Sequence, residues 1–133
     1  MNYPMKPLML IVDDDPISIA TLTNIFISSF NIVSEASGDG AIWQAINCNP
    51  DVLIMDIVMP QWSGIEVCRI IKANQSFKYL PILLISSDDS TQQKVAGYEA
   101  GAVDYITKPI IHHEVVARVG THLNLSRLTR HLD

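Results

Sequence analysis

The chain has 133 residues, 48% of them hydrophobic, with nine basic and 14 acidic side chains and a formal charge of −5. That length is one ordinary domain, long enough to bury a core without a disulfide or metal staple, and that hydrophobicity excludes a disordered chain. The acidic balance disfavours generic nucleic-acid binding, which needs clustered Lys and Arg, and no apolar run approaches the ~20 residues that span a bilayer.

The N-terminal stretch MNYPMKPLML lacks the basic region, apolar core and small-residue cleavage site of a secretory signal. A cytoplasmic location is therefore expected. Cys48 and Cys68 are not at metal-ligand spacing and lie in helix-like apolar patterns. Both are expected to be reduced, buried thiols.

In chain order, Leu8–Val12 reads as a buried strand. Asp15-Pro16 opens a helix, with aspartate as N-cap and proline at the first helical position. Ile19, Leu22, Phe26 and Phe30 give that helix an apolar stripe. Residues 32–36 form a half-polar strand suited to a sheet edge. Gly38-Asp39-Gly40 is expected as a turn, followed by a short helix over 41–48. Residues 51–55 are a second greasy strand, ending in Asp56. Pro60 and Gly64 break the next loop, and Ser63-Gly64-Ile65-Glu66 is a capping-box pattern opening a helix to about Ala73. Residues 81–85 form a buried strand ending in Ser86-Ser87. Residues 90–99 are helical, with Gly101 as a cap beyond. Residues 102–106 are the fifth strand, Lys108-Pro109 follows, and a last helix starts near Ile111.

Strands alternating with helices imply βαβ units and a parallel sheet, its central strands covered on both faces. In such a sheet all strand C-termini emerge at one edge, where sites form. Asp13 and Asp14 follow the first strand, Asp56 ends the third, Ser86 the fourth, and Lys108 follows the fifth. The second strand, ending near Ser37, adds no such group. Each feature alone is ambiguous: Asp caps helices, Lys108 fits a solvated charge, and Ser86-Ser87 fits a turn. Together they place three carboxylates, a hydroxyl and a lysine on one rim. Bare, the rim is over-negative, so at least one carboxyl pKa should rise. One divalent cation balances it. Oxygen donors without Cys or His point to Mg²⁺ or Mn²⁺ rather than Zn²⁺.

These residues carry a family likeness. Over residues 8–122 the chain resembles the receiver domain of two-component response regulators, through LIVDDDP, DVLIMDIVMPQWSG, PILLISS and GAVDYITKP. The second segment is the most specific, with Pro60 four residues and Gly64 eight residues beyond Asp56. The resemblance implies a flavodoxin-like doubly wound five-stranded sheet of order 2-1-3-4-5 flanked by five helices. It implies that Asp56 is the phosphoacceptor, taking a phosphoryl group from a sensor histidine kinase, a phosphotransfer protein or a small donor such as acetyl phosphate. Asp14, Asp56 and the Val58 backbone carbonyl would bind Mg²⁺, with Asp13 holding it mainly through water. Lys108 would contact Asp56 and then a phosphoryl oxygen, Ser86 would donate its hydroxyl to another phosphoryl oxygen, and Tyr105 would be the aromatic that swings inward as Ser86 moves. Pro109 looks like the proline that in this family commonly follows a cis peptide bond. The chain would be a phosphoacceptor switch rather than an enzyme acting on a separate substrate.

Ser86 stands where threonine is frequent, keeping the hydroxyl but losing a methyl that restricts the rotamer. Val58 is placed to crowd attacking water, and Asp88 to orient or repel it. Lys94, Asp104, Glu114 and Arg118 occupy positions that form intermolecular pairs in one DNA-binding subfamily, which implies a phosphorylation-dependent homodimer through the fourth helix, fifth strand and fifth helix. Ordinary solvated charges explain the same four residues equally well, since exposed pairs contribute only ~0–1 kcal/mol.

The domain is expected to occupy residues 1–122. Residues 123–133 extend the last helix with no Gly or Pro, and Leu125, Leu128 and Leu132 form a heptad-like seam. This resembles the stalk that joins receivers to a C-terminal effector; a free-standing receiver with a long final helix is the alternative. A different class of function, a haloacid-dehalogenase-like Mg²⁺-dependent phosphatase with Asp13 as nucleophile, matches the DxD at Asp13-Asp14-Asp15. It leaves the strand ending in Asp56, and the loop with Pro60 and Gly64, unexplained.

Overall fold

The computed structural model describes residues 5–132. Its elements are β1 (Leu8–Val12), α1 (Pro16–Phe26), β2 (Asn31–Glu35), α2 (Gly38–Cys48), β3 (Val52–Asp56), α3 (Gly64–Lys72), a 3₁₀ turn at Gln75–Phe77, β4 (Ile82–Ser86), α4 (Thr91–Glu99), β5 (Asp104–Thr107) and α5 (His112–Leu132). The sheet is parallel throughout, in the expected order β2-β1-β3-β4-β5.

Alternating side chains send each strand's residues to two cores. Leu10, Val12, Leu53, Met55 and Leu84 pack with α2 and α3 residues such as Ala41, Val67 and Ile71. Met9, Ile11, Ile54, Leu83, Ile85 and Ile106 pack with Leu22 and Phe26 of α1 and with Val115 and Val119 of α5. Burial on both faces explains why β3 and β4 are apolar almost without interruption. β2 lies at an edge and is only half buried.

Caps set the helix starts. Asp15 accepts a hydrogen bond from the Ile17 amide at 3.0 Å, with Pro16 as the first helical residue. Ser63 and Ser90 do the same for Glu66 and Gln93, each at 3.2 Å. Asn49 (φ 49°) and Gly101 (φ 108°) follow the ends of α2 and α4 in positive-φ conformations.

Several expectations need correcting. Gly38-Asp39-Gly40 is not a separate turn but the first turn of α2, because the Ser37 hydroxyl accepts from the Gly40 amide at 3.1 Å. Gly38 lets that turn lie against α3, since a Cβ there would come 2.6 Å from Cγ2 of Val67. Asp51 precedes β3 and accepts from the Leu8 amide at 2.7 Å. Phe30 lies beyond α1 rather than in its stripe, yet is buried edge-on against Phe26, with ring centroids 5.5 Å apart. β5 starts two residues late because the Ala102 amide closes onto the Gly97 carbonyl. Cys68 is buried, but Cys48, three residues past buried Ala45 at the end of α2, is exposed.

α5 is one continuous helix of 21 residues. Leu123 is buried and the Ser126 hydroxyl donates to the Tyr79 carbonyl, so packing continues a turn beyond residue 122. Leu125, Leu128 and Leu132 are exposed. Among the described residues no helix is long and apolar enough to cross a membrane.

Candidate functional site

The site lies at the C-terminal ends of β1, β3, β4 and β5. Asp13, just past β1, donates its amide to the Glu35 carbonyl at 3.1 Å and accepts the Asp15 amide on Oδ1 at 2.9 Å. Its carboxylate is thereby fixed and buried. Asp56 ends β3 and is also buried, whereas Asp14 is exposed. One carboxylate oxygen from each of these three residues lies within 4.8 Å of the other two.

The loop after Asp56 must fold back closely. The Gly64 amide donates to the Ile57 carbonyl at 2.8 Å, and a Cβ on Gly64 would collide with the Asp56 carbonyl oxygen. Val58 stands exposed at the start of this loop. On the opposite side, the Lys108 amide donates to the Ser86 carbonyl at 2.8 Å, and the Lys108–Pro109 bond is cis. The Lys108 ammonium reaches Oδ1 of Asp56 at 3.1 Å.

Charge and burial are in tension here. Burial raises the Asp56 pKa; the Lys108 hydrogen bond opposes that, while the charges of Asp13 and Asp14 add to it. Burial likewise raises Asp13, only partly offset by the Asp15 amide and Lys108. Burial alone would lower the Lys108 pKa, but its bond to Asp56 and the surrounding acids outweigh this and raise it. An over-negative, all-oxygen pocket of this kind fits a hard divalent cation.

Ser86 and Tyr105 form an adjoining cluster. The Ser86 hydroxyl donates to Oε1 of Gln93 at 2.8 Å and accepts the Asp88 amide at 3.1 Å. Buried Tyr105 directs its hydroxyl to the same Gln93 oxygen and to the Asp88 carbonyl. Lys94 lies over the Tyr105 ring, 5.9 Å from its centroid. Arg118 bonds Asp104 and Glu114 within the chain, each at 3.0 Å, and His122 bonds Asp104 at 2.9 Å. The structure thus gathers Asp13, Asp14, Asp56 and Lys108 in one pocket, with Ser86 and Tyr105 beside it. Asp104, Glu114 and Arg118 join in a separate surface network. Sequence reasoning missed Gln93, whose only trace was its place three residues after Ser90, and read His122 as part of a solvated helix surface, where it bonds Asp104.

The family model for the response regulator receiver domain matches residues 9–120. The chain belongs to the response regulator receiver domain family. It is 36% identical over 126 residues to the alkaline phosphatase synthesis transcriptional regulatory protein PhoP of Bacillus subtilis, covering 93% of this chain and 51% of that protein. A crystal structure from Chloroflexus aurantiacus, described as that of a response regulator, matches with a TM-score of 0.86 at 34% identity, covering 90% of this chain and 99% of the other. The signal receiver domain of a signal transduction histidine kinase from Syntrophus aciditrophicus matches at 0.82 and 27% identity, covering 89% and 90%. This receiver spans about half the length of PhoP and of MtrA from Mycolicibacterium smegmatis. It is a receiver domain of two-component signalling, and the phosphatase alternative falls away with that membership.

Proposed function

We propose that this receiver accepts a phosphoryl group on Asp56 and uses it to switch the face formed by α4, β5 and α5. The observation that carries the reading is the buried Asp56 carboxylate, 3.1 Å from the Lys108 ammonium and clustered with Asp13 and Asp14.

Phosphoryl transfer needs in-line positioning and charge stabilisation more than acid–base chemistry. An Asp56 oxygen attacks phosphorus as the bond to the donor, a phosphohistidine imidazole or the acyl oxygen of acetyl phosphate, breaks. Asp13, Asp14, Asp56 and the Val58 carbonyl would hold a Mg²⁺ or Mn²⁺ ion, which supplies positive charge to phosphoryl oxygens. Lys108, already on Asp56, neutralises a further oxygen. The product replaces a charge of −1 with about −2 and adds acceptor oxygens. Those oxygens recruit the Ser86 hydroxyl, drawing the loop after β4 toward Asp56, while Tyr105, expected to swing inward, already lies buried with its hydroxyl against Gln93 and the Asp88 carbonyl.

The expected partner is a sensor histidine kinase or a phosphotransfer protein. Homodimerisation through α4, β5 and α5 would require Arg118 and Asp104 to exchange their intrachain bonds for bonds to a second copy, with Lys94 meeting Glu114. Arg118→Glu should then weaken phosphorylation-dependent dimerisation, and an unchanged sedimentation profile would refute that contact. Of the expected stalk over 123–133, residue 133 lies outside the described residues and Leu123 and Ser126 pack on the receiver; exposed Leu128 and Leu132 support the part of α5 beyond Ser126 as a stalk toward an effector, testable from the length of the encoding reading frame.

The central test is intact mass after treatment with acetyl phosphate and Mg²⁺, for this chain and for Asp56→Ala. A gain of one phosphoryl group only in the unsubstituted chain is expected. No gain, or the same gain in Asp56→Ala, would overturn the reading.

A further inference from the structure

A serine hydroxyl has one proton to donate. In Ser86 that proton goes to Oε1 of Gln93 at 2.8 Å, while the Asp88 amide donates to the same hydroxyl at 3.1 Å. Ser86 is buried, so no water offers an easy alternative. Ser86 cannot donate to an oxygen on Asp56 while this bond stands.

The placement of Gln93 is not a by-product of helix capping. Ser90 caps α4, accepting from the Gln93 amide at 3.2 Å. In a capping box, a glutamine at this position turns its side chain back to the N-cap amide. Here the Ser90 amide is taken instead by Oδ1 of Asp88 at 2.8 Å. The Gln93 carboxamide is thereby released from the helix end, and its oxygen meets both Ser86 and the Tyr105 hydroxyl. One acceptor atom on α4 therefore ties the end of β4 to β5.

We propose that Gln93 is a positioning residue that holds Ser86 off the phosphoacceptor by competing with phosphoryl oxygens for its single proton. The proposal rests on Asp56 being the phosphoacceptor. On phosphorylation the Ser86 hydrogen bond passes from Gln93 Oε1 to a phosphoryl oxygen. Tyr105 keeps its place between Gln93 Oε1 and the Asp88 carbonyl, donating its one proton to either acceptor. Gln93 thus sets how strongly the unphosphorylated arrangement resists switching, and the departure of Ser86 is felt directly at the start of α4.

The test uses beryllium fluoride with Mg²⁺ as a stand-in for the phosphoryl group, titrated by tryptophan fluorescence. Four proteins are compared: the unsubstituted chain, Gln93→Leu, Ser86→Ala and the double variant. Gln93→Leu removes the competing acceptor and should bind about three- to tenfold more tightly, the effect of one net hydrogen bond. Ser86→Ala should bind more weakly. In the Ser86→Ala background, Gln93→Leu should change nothing, because the proton it competes for is gone. If Gln93→Leu fails to fold in thermal melts, Gln93→Asn, which draws the oxygen back by one methylene, should shift affinity in the same direction. Unchanged or weaker binding by the folded Gln93 variant, a gain that persists without the Ser86 hydroxyl, or no loss in Ser86→Ala would each overturn the proposal. Intact mass separates the two levels. Phosphorylation on Asp56 without any Gln93 effect sinks this inference alone, and absence of phosphorylation on Asp56 sinks both.

Discussion

Lys108 and Asp56 form an ion pair of 3.1 Å at the floor of the acidic pocket, yet the Asp56 pKa still lies above its ordinary value. One cation does not offset burial together with two neighbouring carboxylates. Between the ordinary carboxyl value and the raised one, the folded chain binds more protons than the unfolded chain, so stability falls as pH rises through that window. At neutral pH the full penalty is present. Asp13→Asn and Asp56→Asn should therefore raise the Tm at pH 7 without divalent ions. The gain should shrink as pH falls toward 4, and thermal melts across pH check it. Adding Mg²⁺ should stabilise the unsubstituted chain, by about 2.7 kcal/mol at a hundredfold excess over Kd, and stabilise Asp56→Asn less.

Asp15 is adjacent to the acidic pocket but performs a different task. Its side chain bonds the Ile17 amide at the start of α1. Asp15→Ala should cost about 0.5–2 kcal/mol in urea unfolding. Phosphoryl gain from acetyl phosphate should be retained.

Gly64 is required by backbone, not by chemistry. The atom that a Cβ would strike is the Asp56 carbonyl oxygen, which cannot rotate away as a side chain would. Gly64→Ala should cost about 1–3 kcal/mol, as overpacking does. It should also slow phosphorylation, because the displaced segment carries Asp56 itself. Unfolding and intact-mass time courses on the same variant check both effects.

The two cysteines should react differently. Burial pushes the Cys68 thiol up to about 11, whereas Cys48 is exposed at the end of α2. Native protein treated with iodoacetamide at pH 8 should take up one label, on Cys48, and denatured protein two. Peptide mapping locates the label.

Much of the fold was legible because the central strands carry a double constraint. β3 and β4 are covered on both faces, so they admit almost only apolar residues, and a charged residue at a strand end breaks the run. That is why Asp13 and Asp56 stood out. Asp15 and Ser63 were legible as caps because capping is local, set within three residues, whereas Ser90 was read as helix and proves to be the cap of α4. Ser37 uses the same chemistry but was hidden by two glycines that read as a turn; α3 packing against Gly38 keeps them helical.

The sequence by itself determined the parallel α/β order, the apolar strands and the acids at their ends, since each follows from spacing along the chain and from which faces must exclude water. Only the tertiary structure decided which groups share a proton or a charge. Arg118 chooses Asp104 of its own chain, and Gln93 turns from its own helix end to Ser86 and Tyr105. Those choices depend on distances across the sheet edge and on competition for single donors and acceptors, which residue spacing does not encode.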